Sequence, residues 1–248
     1  MTDRQRSTGN DLRARPIRAI TLDVNGTLIH PPRLFDIYSE VLARHGTEVE
    51  AFELESVVRL VWQELECSVG YGEDRFAAHT EGARGWWGRF ADRVCEHLGV
   101  ERPSRFAKSE LYDRFARAEA WEIYPEVPRV LNQLAARGIP LAVVSNWDER
   151  LPGLLEDLDL VAGFEAIVYS AGVGAEKPHP AIFQRALELL GEPPSLALHV
   201  GDRRREDVEG AQAIGMRALH LDRHQAKGDL EDLTGLLDLE LPLPDENC

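Results

Sequence analysis

At 248 residues, with 44% hydrophobic and 29% charged residues, the chain has the make-up of an ordinary globular protein of one or two domains. A formal net charge of −15 excludes a general nucleic-acid binder, which needs a basic face, and any anion site must be built locally against that field. No apolar run approaches the ~18 residues of a membrane helix, and Cys67, Cys95 and Cys248 are too few and scattered for a disulfide framework or zinc ribbon, so a reducing, cytoplasmic setting is expected.

Residues 1–16 are polar, rich in Arg and Asp, and lack the apolar segment of a secretory signal; they read as a flexible tail. The run 17–24 reads as a strand covered on both faces, ending where Gly26 lets the chain turn sharply. Leu34, Ile37, Tyr38, Val41 and Leu42 then recur at helical spacing and stop at His45-Gly46. Val57, Val58, Leu60, Val61 and Leu65 make a second stripe, 86–98 a third, closed by Gly99, and 106–121 a fourth. No strand signal interrupts 31–123, which reads as a helical insertion.

From Glu126 short apolar runs alternate with helices. Helix 127–137 closes at Gly138, strand 140–144 runs into Ser145-Asn146, and a helix is expected over 149–159. Strand 164–169 and a glycine-containing turn, 170–174, lead to Lys177-Pro178-His179-Pro180, which opens a helix through Leu190. Strand 196–200 runs into Gly201-Asp202, helix 206–214 closes at Gly215, and 216–221 is the last strand. Beyond Asp222 the acidic, leucine-rich tail, interrupted by Pro242 and Pro244, is expected to form a short outer helix or to fray. This alternation calls for an α/β fold, a doubly wound parallel sheet built from 17–30 and 124–248, with 31–123 inserted after the first strand.

In such sheets ligands bind at the carboxyl ends of the strands, and the right-handed crossover rule gathers those ends on one edge. Asp23 stands there as a nucleophile or cation ligand, or as a turn cap. Asp202 and Asp207 bring further carboxylates, of the kind Mg²⁺ takes one or two of, or else cap a helix. Ser145 and Asn146 can hold phosphate oxygens or form a simple turn; Lys177, fixed by the proline after it, can offset anionic charge or lie in solvent.

Asp23-Val24-Asn25-Gly26-Thr27, Ser145, Lys177-Pro178 and Gly201-Asp202 with Asp207 resemble, in order and context, the motifs of the haloacid dehalogenase-like (HAD) hydrolase superfamily. The insertion is similar to that superfamily's subfamily I helical cap on a Rossmann-like core, and the layout is similar to the domain-containing protein 3 group. The resemblance implies a hydrolase of small phosphorylated metabolites, working through an aspartyl-phosphate on Asp23. Ser145 and Lys177 would be catalytic, with Asn25, Gly26, Thr27 and Asn146 also around the substrate. Mg²⁺ would lie among Asp23, the main-chain carbonyl of Asn25 and Asp202, with Asp207 behind. Neither a membrane nor a nucleic acid is an expected partner.

One position departs from the phosphatase pattern. Where a second Asp usually stands, this chain has Asn25, an amide that cannot shuttle a proton near pH 7. Loss of a general acid/base costs ~10²–10⁴-fold, so slow turnover of poor leaving groups is expected. Two alternatives follow: a 2-haloacid dehalogenase, whose halide needs no proton, and an impaired relative that only binds. Trp86-Trp87 offer a cavity wall or core packing, Arg203 to Arg205 an anion attractant or a solvated helix start. His30, His179, His199 and His220 read as structural or solvated.

Overall fold

The computed structural model describes residues 16–66, 70, 72–77, 79–225 and 227–239. The expected tail, up to residue 15, and Cys67 and Cys248 lie outside them. A parallel five-stranded sheet has the order β5-β4-β1-β6-β7, from β1 (Ala19–Leu22), β4 (Leu141–Ser145), β5 (Ala166–Tyr169), β6 (Ala197–Gly201) and β7 (Arg217–His220). β1 is central, in register with Leu141 to Val143 on one side and Ala197 to Val200 on the other.

Alternation along the strands sorts large residues to one face and small ones to the other. Ile20, Leu22, Leu141, Val143, Leu198 and Val200 pack with α5 (Val127–Ala136) and α6 (Leu151–Asp157). Ala19, Ala142, Ala197 and Ala218 leave room on the opposite face for α8 (Pro180–Leu190), whose Phe183 is fully buried there. The short α7 (Ser170–Val173) and α9 (Gly210–Ala213) complete the layers.

Residues 34–114 form α1 (Leu34–Arg44), α2 (Ala51–Glu66), α3 (Gly82–Leu98) and α4 (Arg105–Arg114), which share an apolar core of their own containing Tyr38, Val61, Trp86, Phe90 and Cys95. The chain enters and leaves this part through β2 (Ile29–His30) and β3 (Glu122–Ile123), paired antiparallel with His30 opposite Glu122. That pair corrects the expectation of a strand-free stretch up to residue 123: two residues are too short to show a period, and their partner lies far away in sequence.

Other bounds also shift. The fourth predicted helix stops at Arg114 and is followed by a 3₁₀ turn, Ala118–Ala120; the expected turn at 170–174 is one turn of helix. The helix expected from 206 begins as a wide π turn, Arg204–Glu209. Of the short helix or frayed end expected beyond Asp222, the described residues show the helix: Leu233–Asp238 form a 3₁₀ helix that seals Leu233 and Leu236 completely into the main core.

Candidate active site

β1 delivers Asp23 to the strand-end edge, where its N–H donates to the Val200 carbonyl at 3.0 Å and ties it to β6. Two glycines make space for the carboxylates. At Gly26, φ is +82° and an added Cβ would sit 2.5 Å from Asp202 Oδ2; at Gly201 it would sit 2.2 Å from Asp207 Cγ. Both are closer than real Cβ contacts come, and the Gly26 φ also disfavours any other residue.

Lys177 links the acids. Its buried ammonium donates to Asp23 Oδ1 at 2.6 Å and to Asp207 Oδ1 at 2.5 Å, while Ser145 Oγ donates to the same Asp23 Oδ1 at 3.0 Å. Asp23 Oδ2 accepts neither of these bonds. The lysine is positioned by Asn146, whose Oδ1 accepts from the Lys177 N–H at 2.6 Å and whose Nδ2 donates to the Lys177 carbonyl at 3.0 Å. Behind Asp207, His199 Nε2 lies at 3.1 Å and His199 Nδ1 at 2.8 Å from Thr21 Oγ1, while the Arg203 N–H donates to Asp207 Oδ2 at 2.9 Å. Burial depresses the imidazole pKa, so neutral His199 donates to Asp207 and accepts from Thr21.

Asp23, Asp202 and Asp207 each offer a ligand oxygen, all within 4.8 Å of one another. Burial, then the charges of Asp23 and Asp207, push Asp202 up to about 7. Burial also raises Asp23, against the pull of Lys177. For Asp207 burial acts upward too, but Lys177 and His199 outweigh it and hold the carboxyl below the usual range. Lys177 itself is raised: burial opposes its charge, but Asp207 and Asp23 more than compensate. Asp202 Oδ1 is buried with no hydrogen-bond partner among the described residues. An orphaned acidic oxygen in an anionic cluster fits a hard divalent cation, which takes oxygen ligands.

The acids open into a cavity of about 530 Å³ between the strand ends and the helical part. Asn25, Ser145, Asn146, Lys177, Asp202 and Asp207 line it with Asp23; Asn25 is exposed and its side chain makes no hydrogen bond among the described residues. Gly26 and Thr27, expected around the substrate, sit at the turn behind the cavity wall, where their N–H groups donate to the Ile29 and Val24 carbonyls. Thr27 is buried and Gly26 shapes the turn. Trp86 is core to the helical part, whereas Trp87 faces the cavity.

Sequence reasoning missed the contacts that tie the helical part to the sheet edge. Arg75 Nε donates to Glu176 Oε2 at 2.7 Å and Nη2 to Oε1 at 3.0 Å, both side chains being buried. Trp87 Nε1 donates to Asp148 Oδ2 at 2.8 Å; Arg150 also grips Asp148, at 2.6 Å, and stacks 3.8 Å over the Tyr112 ring. Arg203 reaches Glu66 of α2 at 2.8 Å. The only signal was the neighbourhood of Glu176 to Lys177 and of Asp148 to Ser145 and Asn146.

The sequence profile of the haloacid dehalogenase-like hydrolases matches residues 17–215. The chain belongs to this family. Haloacid dehalogenase-like hydrolase domain-containing protein 3 of Homo sapiens is 34% identical over 208 residues, which are 82% of this chain and 80% of that protein. Phosphoserine phosphatase of Thermus thermophilus is 33% identical over 149 residues, 58% of this chain and 59% of the relative. The fold is likewise that of HAD structures: the crystal structure of the HAD-hydrolase YfnB from Bacillus subtilis bound to magnesium superposes with a TM-score of 0.72 at 14% identity, covering 90% of this chain and 98% of that one. This HAD-like hydrolase is therefore related to phosphatases and carries a cluster of three carboxylates on an α/β core with an all-parallel central sheet.

Proposed function

We propose that the protein is a magnesium-dependent phosphohydrolase that acts on a small phosphorylated metabolite through an aspartyl-phosphate on Asp23, beneath the helical part, residues 31–123, serving as a cap. One observation carries this reading: a buried lysine bonded to two of three clustered carboxylates, with an unpartnered oxygen on the third. A dianionic substrate requires such compensation, and in phosphoryl transfer the protein contributes mainly positioning and charge stabilisation.

Asp23, Asp202 and the Asn25 carbonyl, with Asp207 behind, would hold the magnesium, which would supply charge neutralisation for the transferring oxygens. Asp23 Oδ2, which accepts neither the Lys177 nor the Ser145 hydrogen bond, attacks phosphorus as the ester P–O bond breaks. Ser145 Oγ and Lys177 Nζ orient the nucleophile and face the phosphoryl oxygens, and Asp207 and His199 hold the lysine. Water then attacks the phosphorus, the bond to Asp23 breaks, and the carboxylate is restored. Of the two water protons one stays on phosphate and one ends on the departed alkoxide or phenoxide.

Phosphate release from a panel of small phosphoesters, with and without EDTA, tests the reading. Activity should require Mg²⁺ and fall by about 10³-fold or more in Asp23→Asn; full activity in that variant removes the proposal. Asn25 favours a second reading, displacement of halide from a 2-haloacid, because halide departs without a proton. Chloride release without metal would support it, and binding of Mg²⁺ with no turnover of any substrate would leave a protein that only binds.

A further inference from the structure

We infer that the substrate is an aryl phosphomonoester, neutral apart from its phosphoryl group, whose ring lies among the cavity aromatics and whose oxygen departs as phenoxide. This rests on the phosphoryl-transfer reading above and names its substrate class.

Shape and composition supply the first argument. The 530 Å³ cavity is of the size that holds a small ligand. Beyond the acids its wall carries Phe35, Trp62, Trp87, Phe115 and Trp121. These rings are only partly buried and pack partly on one another, leaving aromatic surface on the cavity wall against which a flat apolar group can lie.

Charge supplies the second. Every lysine and arginine lining the cavity is already engaged by a carboxylate. Lys177 holds Asp23 and Asp207 at 2.6 and 2.5 Å. Arg75 holds Glu176 at 2.7 Å, Arg150 holds Asp148 at 2.6 Å, and Arg203 holds Glu66 at 2.8 Å. Lys108 holds Asp92 at 2.6 Å and Arg59 lies 3.5 Å from Glu55. Among the described residues every lining cation has a carboxylate within 3.5 Å, the Arg59 to Glu55 pair being solvent-exposed, so a carboxylate-bearing ester such as phosphoserine, or a second phosphate, would enter poorly compensated.

The chemistry of departure is the third. With Asn25 in place of a proton donor, the ester oxygen leaves with its electron pair and takes a proton from water afterwards. Phenols, of pKa about 10 like tyrosine, release their anion far more readily than aliphatic alcohols do. Apolar wall, neutralised cations and missing acid thus select the same molecule.

The test is steady-state phosphate release by the full chain with Mg²⁺. The substrates are phenyl and 1-naphthyl phosphate, a series of ring-substituted phenyl phosphates, hexyl phosphate, phosphoserine, phosphoglycolate and acetyl phosphate. The aryl esters should exceed phosphoserine, phosphoglycolate and hexyl phosphate in kcat/KM by at least 10²-fold. Rates across the substituted phenyl series should fall steeply with leaving-group pKa, and Asn25→Asp should flatten that slope. Trp62→Leu should raise KM for naphthyl phosphate about tenfold more than it raises KM for acetyl phosphate.

Phosphoserine or phosphoglycolate turned over as well as the aryl esters, or hexyl phosphate matching phenyl phosphate, overturns the inference. Acetyl phosphate separates the two levels, because it is small, ringless and a good leaving group. If it is hydrolysed in an Asp23-dependent way while aryl esters show no preference, the substrate class is wrong and phosphoryl transfer stands. If neither acetyl phosphate nor any aryl ester is hydrolysed, both fall.

Discussion

Asp202 is where chemistry and stability pull in opposite directions. Without a cation it keeps its proton up to about pH 7 in the folded chain, against 3.8 when exposed. Between those values the folded state binds one proton more than the unfolded state, so the contribution of Asp202 to stability falls as pH rises from 4 to 7 and stays low above. Metal-free Asp202→Asn should therefore melt at a higher temperature than the parent at pH 8 and lose that advantage near pH 4. Saturating Mg²⁺ should reverse the order at pH 8, since only the parent has the full ligand set. Calorimetry at the two pH values checks both parts; identical melting curves would show that the three carboxylates do not repel as their spacing requires. Gly26 makes a second prediction: Gly26→Ala combines a left-handed φ with a methyl 2.5 Å from Asp202 Oδ2, which should cost about 1–3 kcal/mol in urea unfolding and weaken Mg²⁺ binding at least tenfold by titration calorimetry.

At the scale of elements, the Arg75 to Glu176 pair carries the join between the helical part and the sheet edge, because both partners are buried and doubly bonded. Glu176→Gln leaves the guanidinium buried without its counter-charge, a loss of about 3–5 kcal/mol for pairs of this kind. Denaturant unfolding should show that loss, and KM should rise while Asp23 and Lys177 stay in place. What the sequence disclosed follows the same division. Asp23, Ser145, Lys177 and Asp202 were legible because each terminates a strand or opens a helix, and strand ends of a parallel sheet must meet. Arg75 was not, since nothing local ties it to a glutamate 101 residues away. The β2 and β3 pairing, two residues on each side, is also too short for any period, and the π turn that brings Asp207 under Gly201 leaves the helical spacing of its neighbours unchanged. Side-chain polarity marked which strand ends would meet; tertiary contact alone decided what holds the helical part to the sheet edge.

For the molecule as a whole, the charge of −15 and the neutralised cavity cations act together. A dianionic ester of the proposed kind would approach a net-negative chain, and among the described residues the cations lining the cavity are already paired. Screening should therefore help: kcat/KM for phenyl phosphate should rise a few fold between about 10 and 150 mM salt at fixed free Mg²⁺, opposite to the fall expected for electrostatic steering. A decrease in stopped-flow or steady-state assays would refute that field argument. The β2 and β3 ribbon has a different consequence. Because the outgoing and returning segments cross side by side, with His30 facing Glu122, the four helices join the sheet covalently through a single seam, while Arg75, Trp87 and Glu66 fix them to its edge. Away from those contacts the helices can drift in sequence without disturbing the strand ends that hold Asp23 and Asp202. Selectivity and reactivity can then evolve at independent rates within one gene.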